Sequence, residues 1–450
     1  MPAYLLVVLV IVLVALVLRS IALSLYLLRR RRDRPPEPVR GPQFSICGLQ
    51  VPFHDLTSNI LITGGTGSGK SGAGLLPAVA GVLASPQTGE YAIAGGLFID
   101  SRRGLLAQLV EEESRGVRPV LNITVGSGTA TYNLIDPVVP ADEVAGDLLE
   151  LVQVGTFPAG QKEGSNGLAE CRLFLRRAVE LLRERSESGE ASVIDILRIA
   201  NRGSELDRFL EQLPEGHSAA RDYFTQQWPK LPPETAGFIM SVVGSAFGPF
   251  LSDPALGRQF CSHSNFSFWE CTDRALMVTL TVPPEHETLR RLIAVALKQG
   301  FQRMARLRVT DPVHTRRDPL LFVADEADTL LVDSDKRWLS LSRSLHVISF
   351  VALHSEGWLE ANIGADNARV LLQEFGVRVW FYSTDPVTNR RAEELCATAA
   401  SSGGTGMPWG AGDFAGLDTL QSIAFSRSSR RSVRSTARPY ELRQELRAAS

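Results

Sequence analysis

The chain has 450 residues, 44% hydrophobic and 21% charged, which is room for two or three domains with buried cores and excludes a disordered or collagen-like protein. The formal charge of −2 hides an uneven spread: seven Arg in residues 1–40 against Asp33 and Glu37, seven in 427–450 against Glu441 and Glu445, and 33 basic against 45 acidic residues between. An acidic body with basic ends excludes a protein that coats nucleic acid over its whole surface, and Cys47, Cys171, Cys261, Cys271 and Cys396, with no C-x-x-C pair, read as reduced thiols rather than a metal or disulfide framework.

Residues 4–28 carry one charge, Arg19, and are long enough to cross a bilayer with some tilt. Arg29 to Arg32 and Arg34 follow at once, which places the C-terminal side in the cytoplasm. No basic segment precedes the run and no small-residue cleavage site follows it, so it reads as a permanent anchor (1–34) rather than a signal peptide. Residues 35–43, rich in proline, form an extended linker. Phe44 to Val51 reads as a short strand opening the first part, 44–141, of a nucleotide-binding domain.

Asn59 to Leu76 reads NILITGGTGSGKSGAGLL and contains Gly64-x-x-x-x-Gly69-Lys70-Ser71. An apolar run precedes it and a helix-like pattern follows, the strand–loop–helix setting of a phosphate-binding loop. Gly64, Gly65, Thr66, Gly67, Ser68 and Gly69 turn backbone N–H groups toward phosphate oxygens, aided by the N-terminus of the helix beginning near Lys70. Lys70 is expected to reach the β- and γ-phosphates and Ser71 to ligate Mg²⁺.

Residues 92–100 and 118–125 read as strands around a helix at 104–115, and strands alternating with helices imply a parallel α/β sheet. Residues 142–233 show helical periodicity and almost no strand signal, an all-helical insertion. The second part of the nucleotide domain, 234–400, opens with a helix and resumes strands at Ala275–Val282. In it Pro319–Asp328, PLLFVADEAD, runs an apolar strand into Asp325 and Glu326. Behind a phosphate loop this pattern places Asp325 on Mg²⁺ and Glu326 on the attacking water. In the tail, 401–450, Ser401–Gly412 is glycine-rich and reads as loose, and the final Arg-rich stretch has few apolar residues and is expected to be disordered or to dock a partner.

The order of these parts resembles the coupling-protein family of type IV secretion and conjugation systems, membrane-anchored hexameric ATPases of the RecA-like P-loop class. Matching segments run through 41–400: GGTGSGKSGAGLLPAVA, LFIDSRRG at 97–104 (Ser101 and Arg102 departing from the family's Pro and Lys), TYNLIDPV at 131–138, and LTVPPEHETLRRLIAVALKQGF. The resemblance implies ATP and Mg²⁺ as cofactors and a homo-hexamer on the bacterial inner membrane. It implies secretion-channel proteins, relaxase or effector proteins and DNA as partners. It makes Arg343 the arginine finger reaching a neighbouring subunit and His354 the residue in the polar sensor position, where the family normally has Gln. A solvated helix arginine and a satisfied structural histidine are the plainer readings of those two. The chain departs from many members in having one span and a short tail. A septal-type double-stranded DNA translocase and a nucleotide-switched membrane adaptor without turnover stand as alternatives.

Overall fold

Short apolar runs bounded by Gly, Pro or Asp become buried strands, and the sheet they build decides where every candidate side chain stands. The computed structural model describes residues 42–85, 92–100, 104–157, 165–185, 191–201, 203–213, 216–313, 318–401 and 407–441. The expected membrane anchor, its basic flank, the linker up to Gly41 and residues 101–103 lie outside them.

A hairpin comes first, β1 (Gln43–Ile46) with β2 (Leu49–Pro52). The single strand expected at 44–51 is divided because Cys47 and Gly48 both take positive φ, 48° and 80°. Two such residues make the tight turn that suits a twisted hairpin. The main sheet holds β3 (Ile60–Thr63), β4 (Gly96–Ile99), β5 (Val120–Thr124), β6 (Met277–Thr281), β7 (Leu320–Ala324), β8 (Val347–Leu353), β9 (Val377–Phe381), β10 (Gln421–Ser426) and β11 (Arg431–Thr436), in the order β11-β10-β9-β3-β8-β7-β4-β6-β5. Strands β3 to β9 are parallel; β10 and β11 add to the β9 edge antiparallel.

Side chains alternate across the sheet. Ile60, Ile62, Leu321, Val323, Phe350 and Val379 pack on one face against Leu75 and Val79 of α1 (Lys70–Leu83) and Leu106 and Leu109 of α2 (Leu105–Ser114). Leu61, Leu97, Phe322, Val351 and Leu353 face the other way, into a larger core. That core takes in α3 (Ala141–Thr156), α4 (Ser165–Arg185), α5 (Val193–Ala200), α6 (Ser204–Glu211), α7 (Pro233–Ser252), α8 (Pro254–Phe260) and α9 (Arg290–Thr310). Among the described residues from Ala141 to Lys230 all regular structure is helical, and the helices continue past 233 to α8. They share their core with the sheet. Helix α7 is also long and apolar enough to span a membrane, but Ile239, Val243 and Phe247 are buried in this core.

The Arg-rich stretch is not disordered over Arg431–Thr436, which pairs as β11 with β10. Ile423 and Phe425 join Trp380 and Phe414 in a third cluster, and the polar, Arg-bearing β11 closes the edge. An exposed edge lined with charge resists further strand pairing. Helices α10 (Asp335–Leu341), α11 (Glu356–Ile363), α12 (Ala365–Leu372) and α13 (Pro386–Ser401) complete the crossovers.

Candidate nucleotide site

The loop Gly64–Gly69 leaves β3 at the C-terminal ends of the parallel strands, where β3 and β8 end level at Thr63 and Leu353. Crevices at that end of an open α/β sheet are where ligands bind. The Gly64 N–H goes to Leu353 O at 3.1 Å, that of Gly65 to Tyr382 O at 2.8 Å, and that of Ser68 to Gly65 O at 3.2 Å. These three donors shape the loop rather than point at a ligand. The N–H groups of Thr66, Gly67 and Gly69 have no partner among the described residues. A Cβ on Gly64 would come within 2.7 Å of Phe381 and Ser68, and Gly69 holds φ at 100°, so both positions require glycine.

The tail hairpin reaches this loop. Leu420 donates its N–H to Ser68 O at 3.0 Å, its side chain covers Gly69, and Tyr440 donates its N–H to Gly72 O at 2.8 Å. Leu420 itself sits at φ 67°, a left-handed conformation that costs a leucine roughly 1–3 kcal/mol.

Lys70 is buried, and its ammonium makes no hydrogen bond among the described residues. Ser71 Oγ donates to Asp325 Oδ1 at 2.9 Å. Asp325 is 4% exposed; burial raises its pKa, while Lys70 and the Ser71 hydroxyl pull it back down. A buried carboxylate beside a serine hydroxyl and an unbonded ammonium fits a divalent cation with a polyphosphate, since both added charges would find opposite partners. The buried Ser68 Oγ, also without a hydrogen bond, adds a donor to the same loop.

Glu326 follows at φ 50°, in the left-handed region, and its N–H returns to Asp325 Oδ1 at 3.0 Å. It lines a cleft of about 620 Å³ together with Gly65, Thr66, Arg290, Asp328, His354, Trp358 and Asp385. Backbone strain beside a cleft marks a position the surrounding fold must hold in place. His354, the first residue after β8, therefore shares the cleft with Glu326 and the loop. Arg343 does not. It lies in the turn between α10 and β8, at the far end of β8, exposed and with no side-chain partner among the described residues. A second cleft, of about 470 Å³ between Tyr132–Val139 and His263–Glu270, contains no expected site residue.

Sequence reading passed over several residues in the working cleft. Arg290, 7% exposed, donates to Asp325 O at 3.1 Å and Asp100 O at 3.4 Å, tying the ends of β7 and β4. Its signal was the Arg290-Arg291 pair just ahead of the apolar run Leu292–Leu297. Asp328 accepts the N–H groups of His354 and Ser355 and faces His354 Nδ1. Asp385 accepts from the N–H groups of Gly357, Val387 and Thr388 and from Thr388 Oγ1. Partial burial pushes its pKa up, but those bonds outweigh burial and hold it below the ordinary carboxylate range.

A RecA-like P-loop nucleotidase fold is the class these elements define: the phosphate-loop strand and the acidic strand stand on either side of β8, with their ligands meeting above it. No protein-family model matches the sequence, and no curated protein matches it by sequence. Solved structures do match. The bacterial conjugative coupling protein TrwB in complex with ADP and Mg²⁺ superposes at a TM-score of 0.65 over 92% of each chain, with 15% identity. Its complex with the ATP analogue ADPNP gives 0.64 over the same shares, with 17% identity. VirB4 of Thermoanaerobacter pseudethanolicus gives 0.52 over 90% of this chain and 98% of its own, with 14% identity. At these identities the likeness is one of fold.

Proposed function

We propose that this protein is a membrane-anchored ATPase that drives a substrate, a DNA–relaxase complex or protein effectors, into a type IV secretion or conjugation channel. The observation that carries the reading is the Ser71–Asp325 contact beneath a phosphate loop, in a chain that matches a coupling protein over 92% of both lengths. The ADP, Mg²⁺ and ATP analogue bound by TrwB support ATP and Mg²⁺ as the ligands here. The apolar run 4–28 and its basic flank support a single-pass inner-membrane protein with a cytoplasmic body.

In this reading the N–H groups of Thr66, Gly67 and Gly69, without partners among the described residues, hold the phosphates with Lys70. Ser71 and Asp325 would hold Mg²⁺, which would supply positive charge to offset that of the phosphates. Glu326 orients the attacking water. Arg343 stands at the wrong end of β8 to serve its own loop: seven residues at about 3.3 Å each put roughly 20 Å between the strand's ends. Its exposure suits it to the loop of a neighbouring copy, in a ring taken as a hexamer from the resemblance. A finger supplied in trans is worth about 10³–10⁵ in rate.

The test is ATP turnover at several protein concentrations, without DNA and with single- or double-stranded DNA, using Lys70→Ala as a blank. Turnover that rises more steeply than linearly and is stimulated by DNA supports the proposal. Turnover indifferent to DNA redirects it to protein cargo. Nucleotide binding without turnover favours an adaptor instead.

A further inference from the structure

His354 and Asp328 leave adjacent strands, β8 and β7, at the same end of the sheet. The Asp328 side chain is 3% exposed. One of its oxygens takes the His354 backbone N–H at 2.8 Å and the Ser355 N–H at 3.3 Å; the other shares the His354 N–H at 3.0 Å and lies 3.0 Å from His354 Nδ1. A carboxylate engaged this way offers only acceptors, so the ring proton belongs on Nδ1 and Nε2 keeps its lone pair. Trp358 lies against the imidazole, ring centroids 5.9 Å apart at 35°. One neighbour thus holds the edge of the ring and the other its face. Nε2 has no partner among the described residues, and the ring lines the cleft with Glu326, Gly65 and Thr66.

Building on the hydrolase reading, we infer that His354 is a second hydrogen-bond acceptor for the attacking water, beside Glu326, and that Asp328 is the positioning residue that fixes its tautomer. An amide in this place could turn either end to the cleft; an imidazole held by Asp328 presents an acceptor alone. It therefore reads the water rather than the phosphate oxygens. The water oxygen bonds to the γ-phosphorus as the bond to the β,γ-bridging oxygen breaks, and ADP leaves with that electron pair. One water proton passes through Glu326 to solvent and the other stays on inorganic phosphate. His354 accepts a hydrogen bond and takes no net proton.

The experiment uses the full chain in detergent micelles and compares Asp328→Asn, His354→Ala and the double variant in steady-state ATP hydrolysis. In Asp328→Asn the amide carbonyl can still accept from the His354 and Ser355 N–H groups, but the amide NH₂ faces Nδ1 and drives the ring proton to Nε2. Expected is a loss in kcat of roughly 10²-fold for Asp328→Asn with KM unchanged, the size of one acid–base contribution. The double variant should be no slower than His354→Ala. Losses that multiply in the double variant, or an Asp328→Asn kcat equal to wild type, overturn the inference. ¹⁵N spectra of histidine-labelled protein supply a readout independent of turnover: protonated Nδ1 in wild type and protonated Nε2 in Asp328→Asn are expected. Protonated Nε2 in wild type overturns it. If Asp328→Asn does not fold, the wild-type spectrum and the His354→Ala kcat decide by the same criteria. If wild type hydrolyses no ATP, the hydrolase reading fails and the water role falls with it. The spectra then still decide whether Asp328 positions the ring.

Discussion

The two ends of β8 are built on opposite terms. At its C-terminal end His354 is held on its backbone, its ring edge and its ring face by Asp328 and Trp358. Helix α11 behind it is fastened too: Ser355 Oγ caps Trp358 N–H at 3.0 Å, and buried Glu356 sits 3.6 Å from Arg378 and 3.4 Å from Arg391. Burial still raises the Glu356 carboxyl pKa, against the pull of the two arginines. At the N-terminal end the turn is equally firm, with buried Arg308 donating to Leu345 O at 2.8 Å and His346 O at 3.1 Å, but Arg343 projects from it without a partner among the described residues. A side chain that works within its own chain is fixed beforehand. One that works on another copy needs a rigid base and a free head.

The sharpest way to break this contrast is Arg343→Ala. Turnover should fall by about 10³–10⁵-fold, while melting temperature stays at the wild-type value because none of the described residues bonds to the side chain. Mixing it with Lys70→Ala protein should restore part of the activity, since each copy supplies what the other lacks. No recovery on mixing, in rings shown to exchange subunits, would place the arginine outside any shared site. Next in size is the start of α10, the helix that leads into the Arg343 turn. Lys298 Nζ bonds Asp335 Oδ2 at 2.5 Å and Leu330 O at 2.7 Å, with Gln302 on the other oxygen at 2.9 Å, all buried. Asp335→Ala leaves a buried ammonium without its counter-charge and should cost about 3–5 kcal/mol in denaturant unfolding. Lys298→Met with Asp335→Leu should recover most of it.

At the locked end the effects are smaller. Trp358 is 61% exposed, so Trp358→Ala should change stability by no more than about 0.5 kcal/mol. It should lower kcat less than Asp328→Asn, because the ring keeps its edge contact. The smallest effect is acid sensitivity at Asp385. Its pKa is depressed in the fold, so its contribution is complete above the unfolded value of about 3.9 and fades as pH falls toward the folded one. Asp385→Ala should flatten the stability–pH curve below about pH 4, as read by thermal melts.

Local chemistry was legible in the sequence. Gly64 to Ser71 must lie in one loop whatever the rest does, and Leu320–Ala324 must be a buried strand delivering Asp325 and Glu326 to its end. The pairing of Asp328 with His354 was not, because it depends on β7 and β8 being neighbours in register. Arg290 was hidden for the same reason: its partners are the carbonyls of two residues, Asp100 and Asp325, more than two hundred positions apart. The strand in the Arg-rich stretch was missed because Arg431–Thr436, with Val433 as its one apolar residue, has too few to claim a strand alone. Strand β10, laid on the open edge of β9, supplies the partner, and Arg431 and Thr436 need only tolerate solvent.

The brace of Leu420 and Tyr440 on the phosphate loop has a consequence for manufacture. Residues 64–71 leave the ribosome early, but the residues that clamp Ser68 and Gly72 arrive more than three hundred positions later. A nascent chain would carry an unbraced loop through most of its synthesis. In the proposed function, nucleotide competence would then switch on only at the end of translation, and an unfinished copy would be a poor consumer of ATP.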